Sequence, residues 1–451
     1  MKLHSLAVAV AIASAIGLAA ADGAHAKLTR AELERLGGDL TPLGAEKAGN
    51  KEGTIPAWDG GLTTPPAGWS PGQPYADPFA AEKPLFTITA ANAEQYKAHL
   101  SAGQVELLKR YPNFKMAVYS SHRTAGYAAP LLGQVRAQAE TADLQNGAVT
   151  NVTSGYFPFP IPKSGVEAVW NHLLRYAGGG VEDHADTFMV RASGDYSKFG
   201  LRLKRIYASN LDSPKPGELN RYLSYYTSPA SLEGTVYLVH DPIDQVNNSR
   251  AAWIYNAGQR RVRRAPDLAY DMITDGSEGM YVVDQVDAYN GAPDRYDWAL
   301  VGKKEVFVAY NTYKSTDKSL KYSDILQKNT VNPDTVRYEL HRVWVVEGTL
   351  KQDKQHLYGK RVFYLDEDSW TLLLEDAYDT RGGLWRVGIH GLMQFYDAGV
   401  PLYAFNLWHD LTSGGYCIYG INNESKTVRK LGVTGKANDF EPDALRRLGT
   451  K

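Results

Sequence analysis

Four titratable residues crowd one short stretch of this chain: Glu182, Asp183, His184 and Asp186 follow the triple glycine Gly178-Gly179-Gly180. Imidazole nitrogen and carboxylate oxygen are ligands for zinc and calcium, so the stretch is a candidate metal or hydrolytic site. Such a site needs further ligands converging from elsewhere, and the sequence identifies none. The plainer reading is a solvated acidic loop at a domain junction, and no metal is expected there. Glu182, Asp183 and His184 are retained as the basis of an alternative reading, a β-rich hydrolase. His240-Asp241 and His409-Asp410 are adjacent pairs. Neighbours on a strand point to opposite faces, so neither pair forms a dyad within its own strand. Arg260-Arg261-Val262-Arg263-Arg264 places four guanidiniums in five residues. A charged sheet edge explains them. The sharper reading gives Arg261 and Arg263 to a phosphate headgroup or an acidic partner, because the guanidinium fork matches phosphate. The spacings His-Glu-x-x-His and Gly-x-Ser-x-Gly are absent, and Gly435-Lys436 lacks the rest of a phosphate-binding loop. No cofactor is expected.

Large apolar side chains form a second class of candidate. Trp253 and Tyr255 fall on one face of a strand with Ile254 on the other, and Trp344, Phe363 and Trp385 sit within further strands. Core packing accounts for any one of them. Together they are the candidate lining of an apolar groove, since strands apolar on both faces need covering on both sides.

The elements that must position these residues change character along the chain. Residues 27–86 read as an extended arm: Pro42, Pro56, Pro65, Pro66, Pro71, Pro74, Pro78 and Pro84 exclude regular structure, and Trp58, Trp69, Tyr75 and Phe79 anchor it. Residues 87–180 read as helical. Thr89 is placed to cap one helix and Gly133–Gln145 forms a second. The capping box Ser164-Gly165-Val166-Glu167 opens a third, which ends at the glycines. Residues 181–451 switch to period two. Strands are predicted over Thr187–Ala192, Leu201–Ala208, Thr235–His240, Ala251–Tyr255, Glu305–Tyr310, Arg342–Glu347, Lys360–Leu365, Thr371–Glu375 and Leu384–His390, with a short helix over Ala265–Ile273. Hairpin spacing makes this an antiparallel meander. A sheet so wide curls into a half-barrel whose concave face needs filling. The expected fold is therefore α+β and β-dominated: a large curled antiparallel sheet with the N-terminal helical region covering or plugging its concave face.

The N-terminus supplies the compartment. A basic start and an uncharged run from Ser5 to Ala21 lead to Ala24-His25-Ala26, the small-x-small pattern of a signal peptidase site, so cleavage is expected after Ala26. The run is shorter than the ~20 residues of a membrane span. Cys417 is the only cysteine, which suits a bacterial periplasm better than a disulfide-rich secretory route. The 49 basic and 50 acidic residues leave a net charge of −1 and give no electrostatic reason to expect nucleic acid. Tyr, Trp and Phe number 29, 9 and 12, an aromatic usage that favours sheet.

Three segments resemble one family: LGGDLTPLGAEKAGNKEGTIPAWDGGL (36–62), PFPIPKSGVEAVWNHLLRYAG (158–178) and GAPDRYDWALVGKKEVFVAYN (291–311). It is a family of exported proteobacterial proteins of unknown function, usually labelled outer membrane lipoprotein-sorting protein-like. The resemblance covers essentially the whole chain after the signal peptide. It implies a lipoprotein-carrier-like fold, in which helices cover a curled sheet whose apolar face holds acyl chains. It also implies an inner-membrane exporter of the resistance-nodulation-division type and an outer-membrane partner. No ligand residues carry over from it. The proline-rich arm and the long helical insertion depart from the small lipoprotein carriers. The expected function is a periplasmic carrier or chaperone for a lipid or other hydrophobic molecule. The alternatives are the hydrolase above and a ligand-free scaffold of a transporter complex.

Overall fold

The computed structural model describes residues 27–152, 156–266 and 268–449, so the predicted signal peptide lies outside the described residues. The first part of the chain carries α1 (Arg30–Arg35), β1 (Phe86–Ile88), α2 (Ala102–Arg110), β2 (Met116–Val118), α3 (Ala129–Thr141), β3 (Asp143–Gln145), β4 (Ala148–Thr150) and α4 (Gly165–Leu173). Six strands follow: β5 (Gly180–Val190), β6 (Tyr196–Tyr207), β7 (Glu218–Ser228), β8 (Val236–Pro242), β9 (Ala251–Asn256) and β10 (Arg261–Arg264). Residues 265–292 then cross the sheet, and among the described residues they form no strand and only one short 3-10 turn, Val283–Gln285. Beyond them lie β11 (Tyr296–Ala309), α5 (Tyr322–Ile325), β12 (Tyr338–Leu350), β13 (Tyr358–Asp366), β14 (Leu372–Asp379), β15 (Leu384–Phe395), β16 (Val400–Asp410), β17 (Tyr416–Ile421), β18 (Lys430–Leu431) and α6 (Pro442–Gly449).

All strands but β3 and β4 join one 16-stranded sheet, and its path runs β1-β2-β12-β13-β14-β15-β16-β17-β5-β6-β7-β8-β9-β10. The pairing is antiparallel except where β12 meets β2, so the sheet is mixed. It does not close: β10 pairs only with β9, and β11 only with β12. The β-dominated α+β class and the curled sheet expected from the sequence are therefore present.

All nine predicted strands are found, and most are longer than predicted. The largest difference concerns the acidic stretch. Glu182, Asp183, His184 and Asp186 are not a loop; they belong to β5, which pairs with β6 along its whole length. The reason is cross-strand charge. Glu182 stands opposite Lys204, and Lys198 reaches Asp186 at 3.3 Å, so opposed charges stabilise what looked in isolation like a polar run. Strands β1 to β4, which interrupt the region read as helical, and β7, β10, β16, β17 and β18 were not among the nine predicted. Ser164 caps α4 as predicted, accepting from the Glu167 amide. The helix over Ala265–Ile273 does not form. Tyr270 takes a left-handed φ of 51°, and its carbonyl and that of Met272 accept instead from the amides of Asp284 and Val283.

Only part of the expected helical cover lies on the inner face of the sheet. There α4 packs against β11 and β12, and His172 contacts the carbonyl oxygens of Trp370 and Tyr289, each at 3.1 Å. By contrast α2 packs on β14 and β15 from the other side. Its Ser101 hydroxyl and Gly103 amide both donate to Asp376 at 3.0 Å. Asp376 alternates with Glu375, which joins Arg361 beneath residues 282–292. The main cover of the inner face is the crossover 265–292, hereafter the strap.

Candidate functional site

The strap lies across β6, β7 and β8 and is fastened at several points. The Tyr226 hydroxyl donates to the Asp275 carbonyl at 3.1 Å, and that of Tyr237 to the Asp275 carboxylate. Gly276 turns the strap at φ +78°, where a side chain would stand 2.8 Å from the Phe199 ring. Further on, Asp287 bridges Arg175 at 2.8 Å and Arg205 at 3.2 Å. Asp284 meets His356 at 3.0 Å and Arg361 at 2.8 Å. Burial works against both carboxylates, but the neighbouring guanidiniums outweigh it and hold each below its ordinary pKa.

Between the strap and the sheet lie two adjoining slots of about 80 and 90 Å³. They share Arg205, Tyr222, Val286 and Tyr419, so they form one path. In the first, Leu201, Tyr226, Tyr237 and Val239 form the floor, and Leu268, Met272, Ile273 and Tyr281 the roof. These floor residues share a face because strand side chains alternate, and cross-strand register brings Leu201 opposite Tyr226. In the second, Leu203, Tyr403 and Asn406 face Val286 and Asp287. Ile273 is 54% exposed at the surface of the strap. A larger cleft of about 590 Å³ lies elsewhere, between the proline-rich arm and residues 311–337. Its lining sets Asp77, Glu82, Asp317, Asp334, Lys314, Lys318 and Arg337 beside Tyr75, Phe79, Tyr119, Tyr313 and Val336, so it is proportionally more polar than the slots.

None of the five predicted groove aromatics lines either slot. Trp253 and Tyr255 point to the opposite face of β9, where Tyr255 is buried against Phe440 and Leu445 and Trp253 packs at the margin of the same cluster. Ile254, between them, is the residue on the strap side, packed with Tyr237 and Leu268. Trp253 and Tyr255 therefore lie on the face of β9 covered by α6, away from the slots: alternation fixes which residues share a face, but not which face is covered by what. Trp344 stacks on Trp370 with ring centres 6.0 Å apart, and Phe363 packs against Tyr289 and Trp298 in the main core. Trp385 is half-buried against Tyr358 and donates its indole N–H to Asp410 at 3.0 Å. These three serve packing rather than a common groove. The tyrosines of β7, β8 and β17 line the slots instead. Their signal was the spacing Tyr222-x-Ser224-x-Tyr226, which marks one strand face.

Arg261 and Arg263 are exposed on β10, the sheet edge. Arg263 pairs with Ile254, and Ile254 with Tyr237, so it projects on the strap side without lining a slot. Asp183 lines the second slot and is held by Arg429 at 2.7 Å. Glu182 and His184 alternate with it and point to the other face, so the three do not converge. The described residues hold one cluster with metal-ligand geometry, His341, Asp366 and Asp368, within 4.8 Å of one another. The Arg123 guanidinium already donates to both oxygens of Asp368, at 2.9 and 2.6 Å, and supplies the positive charge there.

A family described as "Protein of unknown function (DUF1329)" matches residues 87–446. The chain belongs to the DUF1329 family. The resemblance read from its three segments is borne out at that level. An uncharacterized protein of Pseudomonas aeruginosa is 44% identical to this DUF1329 chain over 427 residues, covering 93% of this chain and 94% of the relative. Solved structures similar to this chain include a putative outer membrane lipoprotein-sorting protein domain from Vibrio parahaemolyticus. It is 17% identical with a TM-score of 0.42, over 60% of this chain and 93% of that one. A DUF1329 family protein from Desulfovibrio piger is 16% identical with a TM-score of 0.39, over 60% and 92%. A LolA superfamily protein from Nitrosomonas europaea is 12% identical with a TM-score of 0.39, over 63% and 100%.

Proposed function

We propose that this DUF1329 protein is a periplasmic carrier that shields a hydrophobic molecule between the strap and strands β5–β8. The observation that carries this reading is the slot itself: a mainly apolar, tyrosine-rich path, its charged groups at the margins engaged, under a segment whose described residues form no strand and only one short 3-10 turn. Burying a methylene is worth about 0.8 kcal/mol, so an alkyl chain laid in the path supplies useful affinity. Ligand pockets usually span some 300–1,000 Å³. The slots are smaller, so loading requires part of the strap to lift; residues 268–276 over the first slot are half-buried or exposed, whereas Tyr281 to Gln285 are buried and hold the other end. Among the described residues no helix is long and apolar enough to cross a membrane. Export rests on the signal peptide read in residues 1–26. We infer a binding rather than a catalytic role, because Glu182, Asp183 and His184 diverge and the charged groups lining the slots are engaged with one another.

The test is native mass spectrometry of protein taken from its own periplasm, followed by organic extraction. A stoichiometric hydrophobic adduct supports the carrier. A clean apo mass that takes up no added lipid removes it and favours the scaffold. An exporter of the resistance-nodulation-division type and an outer-membrane partner are part of the proposal on the family resemblance alone; crosslinking in intact cells checks them.

A further inference from the structure

Between β16 and β17 the sheet opens. The two strands pair from Asn406–Tyr419 to His409–Tyr416, although β16 begins at Val400 and β17 runs on to Ile421. Each carries a bulge at the opening: Ala404 falls between Tyr403 and Phe405 in the register with β15, and Gly420 between Tyr419 and Ile421 in the register with β5. Gly420 is buried, yet a Cβ there would meet nothing within 4 Å. The opening joins the second slot to a third void, of about 40 Å³, on the opposite face of the sheet; Ala404, Gly420 and Arg429 line both. Leu392 pairs with Tyr403 on the slot side, so Met393 and Phe395 alternate to the far side, where they line the third void with Tyr75 and Val428.

Among the described residues that line this void, the only charged ones are Lys318 and Arg429, both cations. Arg429 spans the opening: its Nε donates to Asp183 of β5 and its Nη1 to the Tyr403 carbonyl of β16, each at 2.7 Å. A guanidinium has five N–H groups, and neither of those on Nη2 meets an acceptor among the described residues. The half-buried Lys318 ammonium is held by neutral oxygens only: the Asn422 carbonyl at 2.6 Å and Oδ1 at 3.0 Å, the Ser425 carbonyl at 3.2 Å and that of Thr427 at 3.3 Å. Burial holds its pKa below the ordinary value; Asp183 pulls it up, and Arg429 pushes it further down. The nearby Asp397 is taken by the Tyr75 hydroxyl at 2.8 Å. Two cations thus share one carboxylate, Asp183, where an apolar passage begins.

We infer that Lys318 and Arg429 form the subsite for the anionic end of the ligand, a carboxylate or phosphate, with its alkyl chain passing between β16 and β17 into the slots under the strap. This rests on the carrier reading and names the ligand class for it. An anionic oxygen pair gives the two Nη2 N–H groups their acceptors and gives Lys318 a counter-charge. A water needs about 10–15 Å³ of such space, so the void has room for a small headgroup. The void also shares Tyr75 and Lys318 with the larger cleft, so a bulkier headgroup extends there.

The probes are oleate, oleyl alcohol and inorganic phosphate: an anionic amphiphile, a neutral one and a free anion. The first two compete against the fluorescent reporter N-phenyl-1-naphthylamine on the purified mature chain at pH 8, and phosphate is read by calorimetric titration. Oleate is expected to bind at least about tenfold tighter than oleyl alcohol. Lys318→Met keeps the stem, removes the charge and should erase that preference. Asp183→Asn with Arg429→Gln leaves no charge buried alone, and gives the same readout should Lys318→Met fold poorly. If the alcohol binds as tightly as oleate, or the preference survives both variants, the inference falls and the carrier reading stands. Phosphate bound by the wild type and lost in Lys318→Met, without an oleate preference, would make this a site for a free anion and overturn the amphiphile. If neither amphiphile binds, the inference falls together with the carrier reading.

Discussion

Asp287 is the point at which the strap, α4 and β6 are joined, and replacing it with asparagine tests that join. Its carboxylate takes both Arg175 and Arg205, whose side chains are 5% and 17% exposed. Removing one member of a buried ionic group leaves the others uncompensated and costs about 3–5 kcal/mol. The Asp287 side chain keeps 23% exposure, so water screens part of the effect, and about 2–4 kcal/mol is expected. In guanidinium chloride that moves the midpoint by on the order of 1 M or less. The sign with pH follows from the carboxyl being held below its ordinary value by the two guanidiniums. Its contribution is present above the unfolded pKa of about 4 and is lost as pH falls, so the gap between wild type and Asp287→Asn narrows in acid. Replacing the whole group, as Arg175→Met, Arg205→Met and Asp287→Leu together, should recover most of the loss, because no charge is left buried alone. A single variant within 0.5 kcal/mol of wild type at pH 7 would refute the account of the join.

Asp376 behaves in the opposite sense. It is buried under α2, and burial raises its pKa to about 6, so its effect on stability is most favourable below pH 4 and is lost as pH rises through 6. Denaturation of Asp376→Asn against wild type should show the variant gaining on the wild type between pH 4 and 7, by on the order of 2–3 kcal/mol; a constant difference would contradict the shift. The Cys417 thiol is fully buried and pushed up to about 12, so a thiol reagent at pH 8 should label it only as fast as the protein unfolds. Rapid labelling of folded protein would exclude that burial. Leu445→Ala opens a cavity beside Tyr255 and should cost about 2–5 kcal/mol, seen as a lower denaturation midpoint. An unchanged midpoint would show that α6 does not hold the outer face of β9.

The sequence by itself determined the local alphabet: nine strands where apolar residues alternate, the Ser164 cap of α4 and the edge position of the arginine run. Each depends on neighbours a few residues apart, and such signals survive without a partner. It could not place β5 fully, because the strand character of Glu182 to Asp186 comes from Lys204 and Lys198 across the ladder. Nor could it say which face of the sheet is covered by what. Trp253 and Tyr255 are the larger apolar side chains of β9, and size drew them to the groove. The strap took the other face and α6 took theirs. The slot has no counterpart in any local pattern, since its floor comes from β5 to β8, β16 and β17 and its roof from a segment whose composition suggested a helix. Ion pairing between distant segments is a property of the packed state alone, so the join of Asp287 to Arg175 and Arg205 became visible only when the strap, the end of α4 and β6 were brought together.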